Sequence, residues 1–211
     1  MNAEFYLIMD ECNSLSSSFL PKRSNMNDLR IRHQLLIILC LIMLLPFSAF
    51  AQIDCSRMPH WVTLNNGLQL NQKHIFCGEW NQNRPKGFHS RPGGNNPSVI
   101  AHLTIQSEPN AAGIYTARWS YKKQPDKNKF SSMFPDNCTI TQILNSISHA
   151  TANSKTQCPS GSPEWIQCGQ NKPEVDQEEN SAYCSKDGQN FTIGFKLSKH
   201  GKINTAFPIF E

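Results

Sequence analysis

Two histidines near the middle of the chain, His74 and His89, have the surroundings of a candidate active site. They lie 15 positions apart in a segment rich in glycine, proline and basic residues, and Lys129 follows 40 positions later. Because the ordinary pKa of histidine lies nearest to neutral pH, such a pair can supply one base and one acid in a single turnover. The glycines and prolines between them predict a tight loop that can approach a ligand closely.

Two histidines and a lysine are the groups that RNA cleavage by internal attack needs. A base removes the proton of the ribose 2′-hydroxyl, and the oxygen attacks the adjacent phosphorus. A cation stabilises the added negative charge, and an acid protonates the departing 5′-oxygen. This chemistry requires neither a metal nor a covalent enzyme intermediate. Each positioned proton-transfer group typically accelerates a reaction ~10²- to 10⁴-fold.

Five short blocks follow one another along the chain: His74-Ile-Phe-Cys-Gly-Glu79, Gly87-Phe-His-Ser-Arg-Pro92, Gly113-Ile-Tyr-Thr-Ala117, Lys129-Phe-Ser-Ser-Met-Phe-Pro135 and the terminal Gly194-Phe with Gly201-Lys-Ile-Asn-Thr-Ala-Phe-Pro208. In this order, from about residue 73 to 208, the chain resembles the bacterial EndoU nucleases, which are related to the eukaryotic and coronaviral uridylate-preferring endoribonucleases. The His-His-Lys spacing is similar to that of the viral enzymes. Any single block is a weak signal, whereas the ordered combination is fairly specific.

The resemblance implies a role for each matching position. His74 and His89 are then the acid-base pair, and the family analogy favours His74 as the acid and His89 as the base. Lys129 is the phosphate-stabilising cation. Thr205 is implied as a contact to the uracil or the phosphate. Family members often have tyrosine where this chain has Phe207, which can still stack on a base but has no hydroxyl to donate.

Two basic residues leave alternatives open. A slip of the Lys-Asn-Lys-Phe-Ser-Ser alignment exchanges Lys129 with Lys127. Arg91 precedes the Gly93-Gly94 turn, where it could bind a phosphate, but a plain surface arginine fits equally well. The other histidines are interpreted as surface or hydrogen-bonded residues, and the tryptophans as core or interface residues rather than base-stacking platforms. The histidines are His60, His102, His149 and His200, and the tryptophans are Trp61, Trp80, Trp119 and Trp165.

The leading functional hypothesis is an exported endoribonuclease that cuts single-stranded RNA at uridylates and leaves 2′,3′-cyclic phosphate ends. No cofactor is expected to be required, and stimulation by Mn²⁺, as in some relatives, stays open. Toxicity towards another cell and scavenging of RNA both fit, and an immunity or inhibitor protein is a candidate partner. The alternative is a secreted module that binds RNA or another polyanion on the same scaffold without turnover. A third hypothesis makes His74, Cys77 and His89 metal ligands.

The N-terminal 51 residues have the pattern of a secretory leader. Arg30 and Arg32 precede an apolar run over residues 35–45, and small residues before Gln52 predict cleavage after Ala51. A retained membrane anchor is the alternative, but the run is short for a spanning helix. Met26 lies just ahead of these basic residues and would be a more ordinary translation start for such a leader. We therefore expect a secreted or periplasmic protein, with residues 52–211 forming one domain that no longer contacts the membrane after cleavage.

Charge and cysteine content bound the character of this domain. Lysine and arginine exceed aspartate and glutamate by four, and the leader contains equal numbers of both signs. This modest excess is compatible with a polyanionic ligand without demanding one. Six cysteines remain after cleavage, and an even number in an exported chain predicts three disulfides, although 15 pairings are allowed. These are Cys55, Cys77, Cys138, Cys158, Cys168 and Cys184.

Hydrophobic periodicity indicates the elements that must position the candidate residues. Alternation predicts strands over residues 98–105 and 114–121, joined as a hairpin, and a second hairpin over residues 191–207. A polar, lysine-rich connection is expected from Lys122 to Lys129. Thr139 and Gln142 form a capping-box pattern ahead of helical apolar spacing up to Ala150. Residues 152–190 are interpreted as an irregular segment pinned by disulfides. Together these features predict an α+β domain of antiparallel sheets with few helices.

Overall fold

The computed structural model describes residues 52–155, 157–174 and 179–211, and this part of the chain contains ten strands and two α-helices. The expected leader, its start and its cleavage site lie outside the described residues. Among those residues, no helix is long and apolar enough to cross a bilayer. In chain order the elements are β1 (Trp61–Thr63), β2 (Gln69–Asn71), α1 (Gln72–Phe76), β3 (Glu79–Asn81), β4 (Arg84–Lys86), β5 (Ile100–Ser107), β6 (Tyr115–Tyr121), β7 (Gln124–Met133), α2 (Ile140–Ala152), β8 (Gln167–Gln170), β9 (Thr192–Leu197) and β10 (Lys202–Pro208).

The strands form two main sheets and one small hairpin. The first sheet has five strands in the order β1-β2-β10-β9-β8, the second has the order β5-β6-β7, and β3 pairs with β4. All pairs are antiparallel except β2 with β10. The predicted α+β class with mostly antiparallel sheets, few helices and disulfides is therefore confirmed, with one parallel pair that the sequence did not indicate.

Helix α2 forms where the capping box predicted it. The Thr139 hydroxyl accepts a hydrogen bond from the Gln142 backbone N–H at 3.2 Å, and the Gln142 side chain accepts one from the Thr139 N–H at 2.8 Å. These two bonds satisfy donors that the first helical turn leaves without partners. Ile143, Ile147 and Ala150 are fully buried and pack in the core formed with the five-stranded sheet.

The three-stranded sheet differs from its prediction in two places. The hairpin of β5 and β6 is confirmed, but the expected connection from Lys122 to Lys129 is wrong, since β7 already begins at Gln124. Polar, exposed residues fill the first half of β7, so no apolar alternation indicates a strand there. Its pairing with β6 defines the strand instead. Ile105 on β5 is 38% exposed, so the apolar alternation does not bury every apolar residue of that strand.

The C-terminal hairpin of β9 and β10 is confirmed, but β10 contains a bulge. The register slips between Ile203 and Thr205, which leaves Asn204 without a partner in the ladder with β9. The strict alternation expected from the sequence would put Ile203, Thr205 and Phe207 on one face. The extra residue breaks that alternation. Ile203 and Ala206 are fully buried in the core, while Thr205 and Phe207 are only partly buried.

Three disulfides fasten the connecting segments, as predicted. They join Cys55 to Cys77, Cys138 to Cys184 and Cys158 to Cys168. The latter two pin the segment 152–190, which was expected to be irregular but also contains the strand β8. Four residues of polar composition gave no periodic signal for that strand.

We predict that Thr139→Ala lowers the free energy of unfolding by about 1 kcal/mol, because it removes the hydroxyl that caps α2. Thr139→Ser keeps the oxygen and should remain close to wild type. Thermal or urea unfolding of the three oxidised proteins measures the difference. Equal stability of the alanine and serine variants would contradict a stabilising role for the cap.

Candidate active site

His74 lies on the short helix α1, where the sequence predicted only a loop. The side chain of Asn71 caps this helix by accepting a hydrogen bond from the His74 N–H at 3.0 Å. Ile75 and Phe76 are fully buried, and Cys77, at the end of the helix, is bonded to Cys55. Five residues are too few for helical periodicity to appear, so a cap, an apolar pair and a disulfide define this helix.

The segment that carries His89 lies directly against α1. The Phe88 N–H donates to the His74 carbonyl at 2.7 Å, and the His89 N–H donates to the Ile75 carbonyl at 2.8 Å. A Cβ at Gly87 would lie 2.2 Å from the His74 carbonyl oxygen, so only glycine permits this approach. Phe88 is buried with a φ of 53°, an uncommon conformation for a bulky residue. This backbone contact brings the two histidines together.

The rings of His74 and His89 face each other at a centroid distance of 6.0 Å and an interplanar angle of 30°. Both line one large cleft. Their separation leaves each imidazole able to contact a different atom of one bound group.

The Glu79 carboxylate orients the imidazole of His74. Its Oε2 lies 2.8 Å from Nδ1 of His74, and its Oε1 accepts a hydrogen bond from the Asn71 side chain at 3.0 Å. A carboxylate can only accept, so Nδ1 carries a proton and Nε2 is the other site. The hydrogen bond from His74 is the main cause that holds the pKa of Glu79 below its ordinary value.

His89 has the opposite environment. Its Nδ1 lies 3.0 Å from the Ser132 carbonyl oxygen, and the side chain is buried. Burial lowers the pKa of His89 well below its ordinary value, and the positive charges of Lys129 and His74 lower it further. The neutral ring therefore predominates near pH 7. Since the carbonyl oxygen needs a donor, the proton lies on Nδ1 and the lone pair on Nε2.

Lys129 lies on β7, opposite Trp119, and lines the same cleft. Its Nζ donates to the Ser131 hydroxyl at 2.8 Å and to the Phe130 carbonyl at 2.9 Å. The Ser131 hydroxyl in turn donates to the Gly87 carbonyl at 3.1 Å, which ties the lysine to the histidine segment. Burial lowers the pKa of Lys129 to about 8, so most molecules remain protonated at neutral pH. Lys127 is exposed and does not line the cleft.

Thr205 and Phe207 also line the cleft, on the side formed by β10. The Phe207 ring stacks on His89 with a centroid distance of 5.3 Å and an interplanar angle of 26°. The structure thus brings together five of the six predicted site residues from distant parts of the sequence. These are His74, His89, Lys129, Thr205 and Phe207.

The structure does not place Arg91 with the other five. Its guanidinium forms an ion pair with Asp136 at 2.9 Å and donates hydrogen bonds to the Tyr115 hydroxyl at 2.7 Å and the Gly94 carbonyl at 3.1 Å. Tyr115 is buried and donates to Asp136 at 2.6 Å. These contacts hold the Arg91 side chain at the turn after His89, and Arg91 does not line the cleft.

The cleft has a volume of about 1710 Å³ and a strongly positive wall. Among the described residues that line it, Glu79 is the single carboxylate, against seven lysines and arginines. A wall of this charge favours a polyanionic ligand. The basic residues are Lys73, Arg84, Lys86, Lys122, Lys123, Lys129 and Lys196.

Several residues of the cleft were missed or misinterpreted from the sequence. Glu79 follows His74 by five positions, and a carboxylate this close to a candidate catalytic histidine was the signal that could have identified it. His60 also contacts Glu79, at 3.3 Å, and so shares the carboxylate with His74. Of the tryptophans expected to be core or interface residues, Trp119 lies in the core. Trp80 and Trp165 do not, since they are 41% and 52% exposed and line the cleft.

The metal-site hypothesis loses one of its ligands. Cys77 is bonded to Cys55, so it is not a free thiolate. Within residues 52–155, 157–174 and 179–211, no group of three His, Cys, Asp or Glu side chains is arranged to hold a metal ion.

Comparison with known protein families gave one match. A family model described as bacterial EndoU nuclease matches residues 68–210, which is more than half of the chain and includes His74, Glu79, His89, Lys129, Thr205 and Phe207. No curated protein and no solved structure showed significant similarity to the chain.

The burial of neutral His89 predicts a pH dependence of stability. Below about pH 6.5 the unfolded chain takes up a proton on this residue while the folded protein does not, so stability falls as the pH falls. The loss is at most about 1.4 kcal/mol per pH unit and ends at the depressed pKa of the folded state. Urea unfolding of wild type and His89→Asn between about pH 7 and pH 5 measures it, and the variant should show the shallower dependence.

The matched control is His102→Asn, which changes an exposed histidine on β5. Its pH dependence should equal that of wild type. The same slope in all three proteins would show that His89 is not held neutral by the fold.

Proposed function

Since the chain belongs to the bacterial EndoU nuclease family and is therefore a nuclease, we propose that it is an endoribonuclease that cleaves single-stranded RNA at uridylates through its two cleft histidines. The observation that carries the proposal is that two neighbouring imidazoles in one cleft have different hydrogen-bond partners. His89 is buried and neutral with the lone pair on Nε2, whereas Nδ1 of His74 donates to the Glu79 carboxylate.

The two environments support one assignment of roles. His89 acts as the base that takes the proton of the ribose 2′-hydroxyl onto Nε2, and the oxygen then attacks the adjacent phosphorus. The bond to the 5′-oxygen breaks, and protonated His74 gives its Nε2 proton to that oxygen. The products are a 2′,3′-cyclic phosphate and a 5′-hydroxyl. Both imidazoles have then changed protonation state, and exchange of one proton with solvent at each restores the starting pair.

Lys129 is the cation that stabilises the phosphorane-like transition state. Its ammonium is held by Ser131 and by a backbone carbonyl, which have no charge to neutralise it. A positioned, partly desolvated charge of this kind stabilises developing negative charge more than a solvated one. The positive cleft supports RNA as the ligand, because a polyanion gains from many such contacts.

Thr205 and Phe207 are the proposed contacts to the uridine. Thr205 supplies a hydroxyl that can donate and accept, and Phe207 supplies an aromatic face next to the base histidine. Phe207 lacks the hydroxyl that family members with tyrosine have, so preference for uridylate rests on Thr205 and on the shape of the cleft.

We propose export to an oxidising compartment. Three disulfides within the described residues support this location, as does the secretory pattern of the first 51 residues. There the nuclease acts as a toxin towards another cell or scavenges RNA, and the proposed chemistry requires no metal.

We predict that the oxidised protein cleaves a uridine-containing RNA in the presence of EDTA and leaves a cyclic phosphate. His74→Ala and His89→Ala should each lower kcat/KM by ~10²- to 10⁴-fold, because each removes one proton-transfer group. His102→Ala is the matched control on the outer surface and should cleave like wild type. Product ends are identified by mass spectrometry, with and without added Mn²⁺.

Two outcomes would refute the enzyme assignment. One is no cleavage by wild type in either buffer, and the other is equal cleavage by the wild-type and both cleft-histidine proteins. Salt-dependent binding of RNA that stays intact would instead support the alternative of a binding module without turnover.

The lysine assignment has its own test. Lys129→Ala should lower kcat/KM by roughly 10²-fold or more, as for removal of one group that stabilises transition-state charge, while KM changes less than kcat. Lys127→Ala removes an equal charge two positions away on the exposed part of β7 and should retain most activity. A larger loss in the Lys127 variant would reverse the assignment.

A further inference from the structure

Trp165 has an unusual position for a large aromatic residue. It is 52% exposed at the wall of the cleft, and its ring centroid lies 6.2 Å from that of Phe207. Nζ of Lys196 lies 5.6 Å from the same ring. Half of this indole is therefore presented to solvent beside a cation and beside the ring that stacks on His89.

The indole is exposed but firmly anchored. The disulfide between Cys158 and Cys168 closes the loop that carries it. The next residue, Ile166, is buried over Gly194 of β9, where a Cβ would lie 2.7 Å from the Ile166 Cδ1 atom. Glycine at position 194 thus allows the loop that contains Trp165 and Ile166 to pack against the five-stranded sheet. A platform that is already ordered loses little conformational entropy when a ligand stacks on it.

Three rings form a row that leads away from the histidine pair: His89, Phe207 and Trp165, separated by 5.3 and 6.2 Å. Lys196 lies beside this row, because it pairs with Thr205 across the ladder of β9 and β10. The cleft of about 1710 Å³ is also larger than the roughly 300–1,000 Å³ of a pocket for one small ligand. There is room for more than the nucleotide that is cleaved.

We propose that Trp165 and Lys196 form a second nucleotide position, in which the base next to the cleaved nucleotide stacks on the indole and Lys196 contacts its phosphate. The inference rests on the proposed function, since it takes RNA as the ligand. An aromatic face joined to a cation is suited to an unpaired base and its phosphate. The predominance of basic side chains in the cleft favours RNA over an apolar or cationic partner.

The test combines protein and substrate changes. The substrates are oligonucleotides with a single uridine, either intact or with an abasic nucleotide on its 5′ or its 3′ side. Trp165→Ala should lower kcat/KM on the intact RNA by about 5- to 150-fold, the range for loss of one stacked base. On one of the two abasic RNAs the same substitution should have almost no effect, which identifies the side. Trp165→Tyr should retain most activity on intact RNA, whereas Trp165→Leu should not.

A binding measurement separates this inference from the enzyme assignment. An RNA with deoxyuridine at the cleavage position has no 2′-hydroxyl nucleophile there, so its Kd reports binding alone. Trp165→Ala should weaken binding of this RNA, and Phe210→Ala, an exposed aromatic outside the cleft, should not. If wild type binds but cleaves no RNA, the proposed function fails while the nucleotide position stands. If the Trp165→Ala penalty is absent, or is equal on intact and both abasic RNAs, the nucleotide position is wrong whether or not the protein cleaves.

Discussion

The contact between α1 and the segment from Gly87 to His89 is the interaction on which the rest of the site depends. Two backbone hydrogen bonds, from Phe88 to the His74 carbonyl and from His89 to the Ile75 carbonyl, fix the two histidine-bearing segments against each other. Side chains alone could not define this distance, because each imidazole has rotatable bonds. Gly87 permits the approach, and buried Phe88 tolerates a strained φ because the core holds it on all sides.

The two histidines have different surroundings and different hydrogen-bond acceptors. Burial is the main cause that lowers the pKa of His89 and keeps it neutral, and its Nδ1 faces the Ser132 carbonyl oxygen, whereas Nδ1 of His74 faces a carboxylate. Only the partner of His74 is a side chain, that of Glu79, and can therefore be recognised in the sequence. The acceptor for His89 is the backbone of Ser132, and any residue except one that breaks β7 would supply the same oxygen. The difference between the surroundings of these two identical side chains is therefore a property of the fold.

Long periodic elements were predictable from the sequence, and short or polar ones were not. Helix α2 has a cap and a regular apolar face, and the hairpins β5–β6 and β9–β10 alternate, so local chemistry agrees with their final structure. By contrast α1 is five residues long, β8 is polar, and the first half of β7 is solvated. Arg91 illustrates a further limit, since a guanidinium beside a glycine turn suits an anion and an internal carboxylate equally, and only packing placed Asp136 within reach.

The bulge in β10 determines which side chains of that strand face the core and which face the cleft. Residues before Asn204 and after it follow opposite alternations, so Ile203 belongs to the core while Thr205 and Phe207 reach the cleft. Without the bulge, strict alternation of the same residues would turn Thr205 and Phe207 towards the core, whereas deletion of Asn204 would remove only the extra residue and leave Thr205 and Phe207 at the cleft. One residue without a partner in the ladder thus places Thr205 and Phe207 at the wall of the cleft and not in the core layer with Ile203.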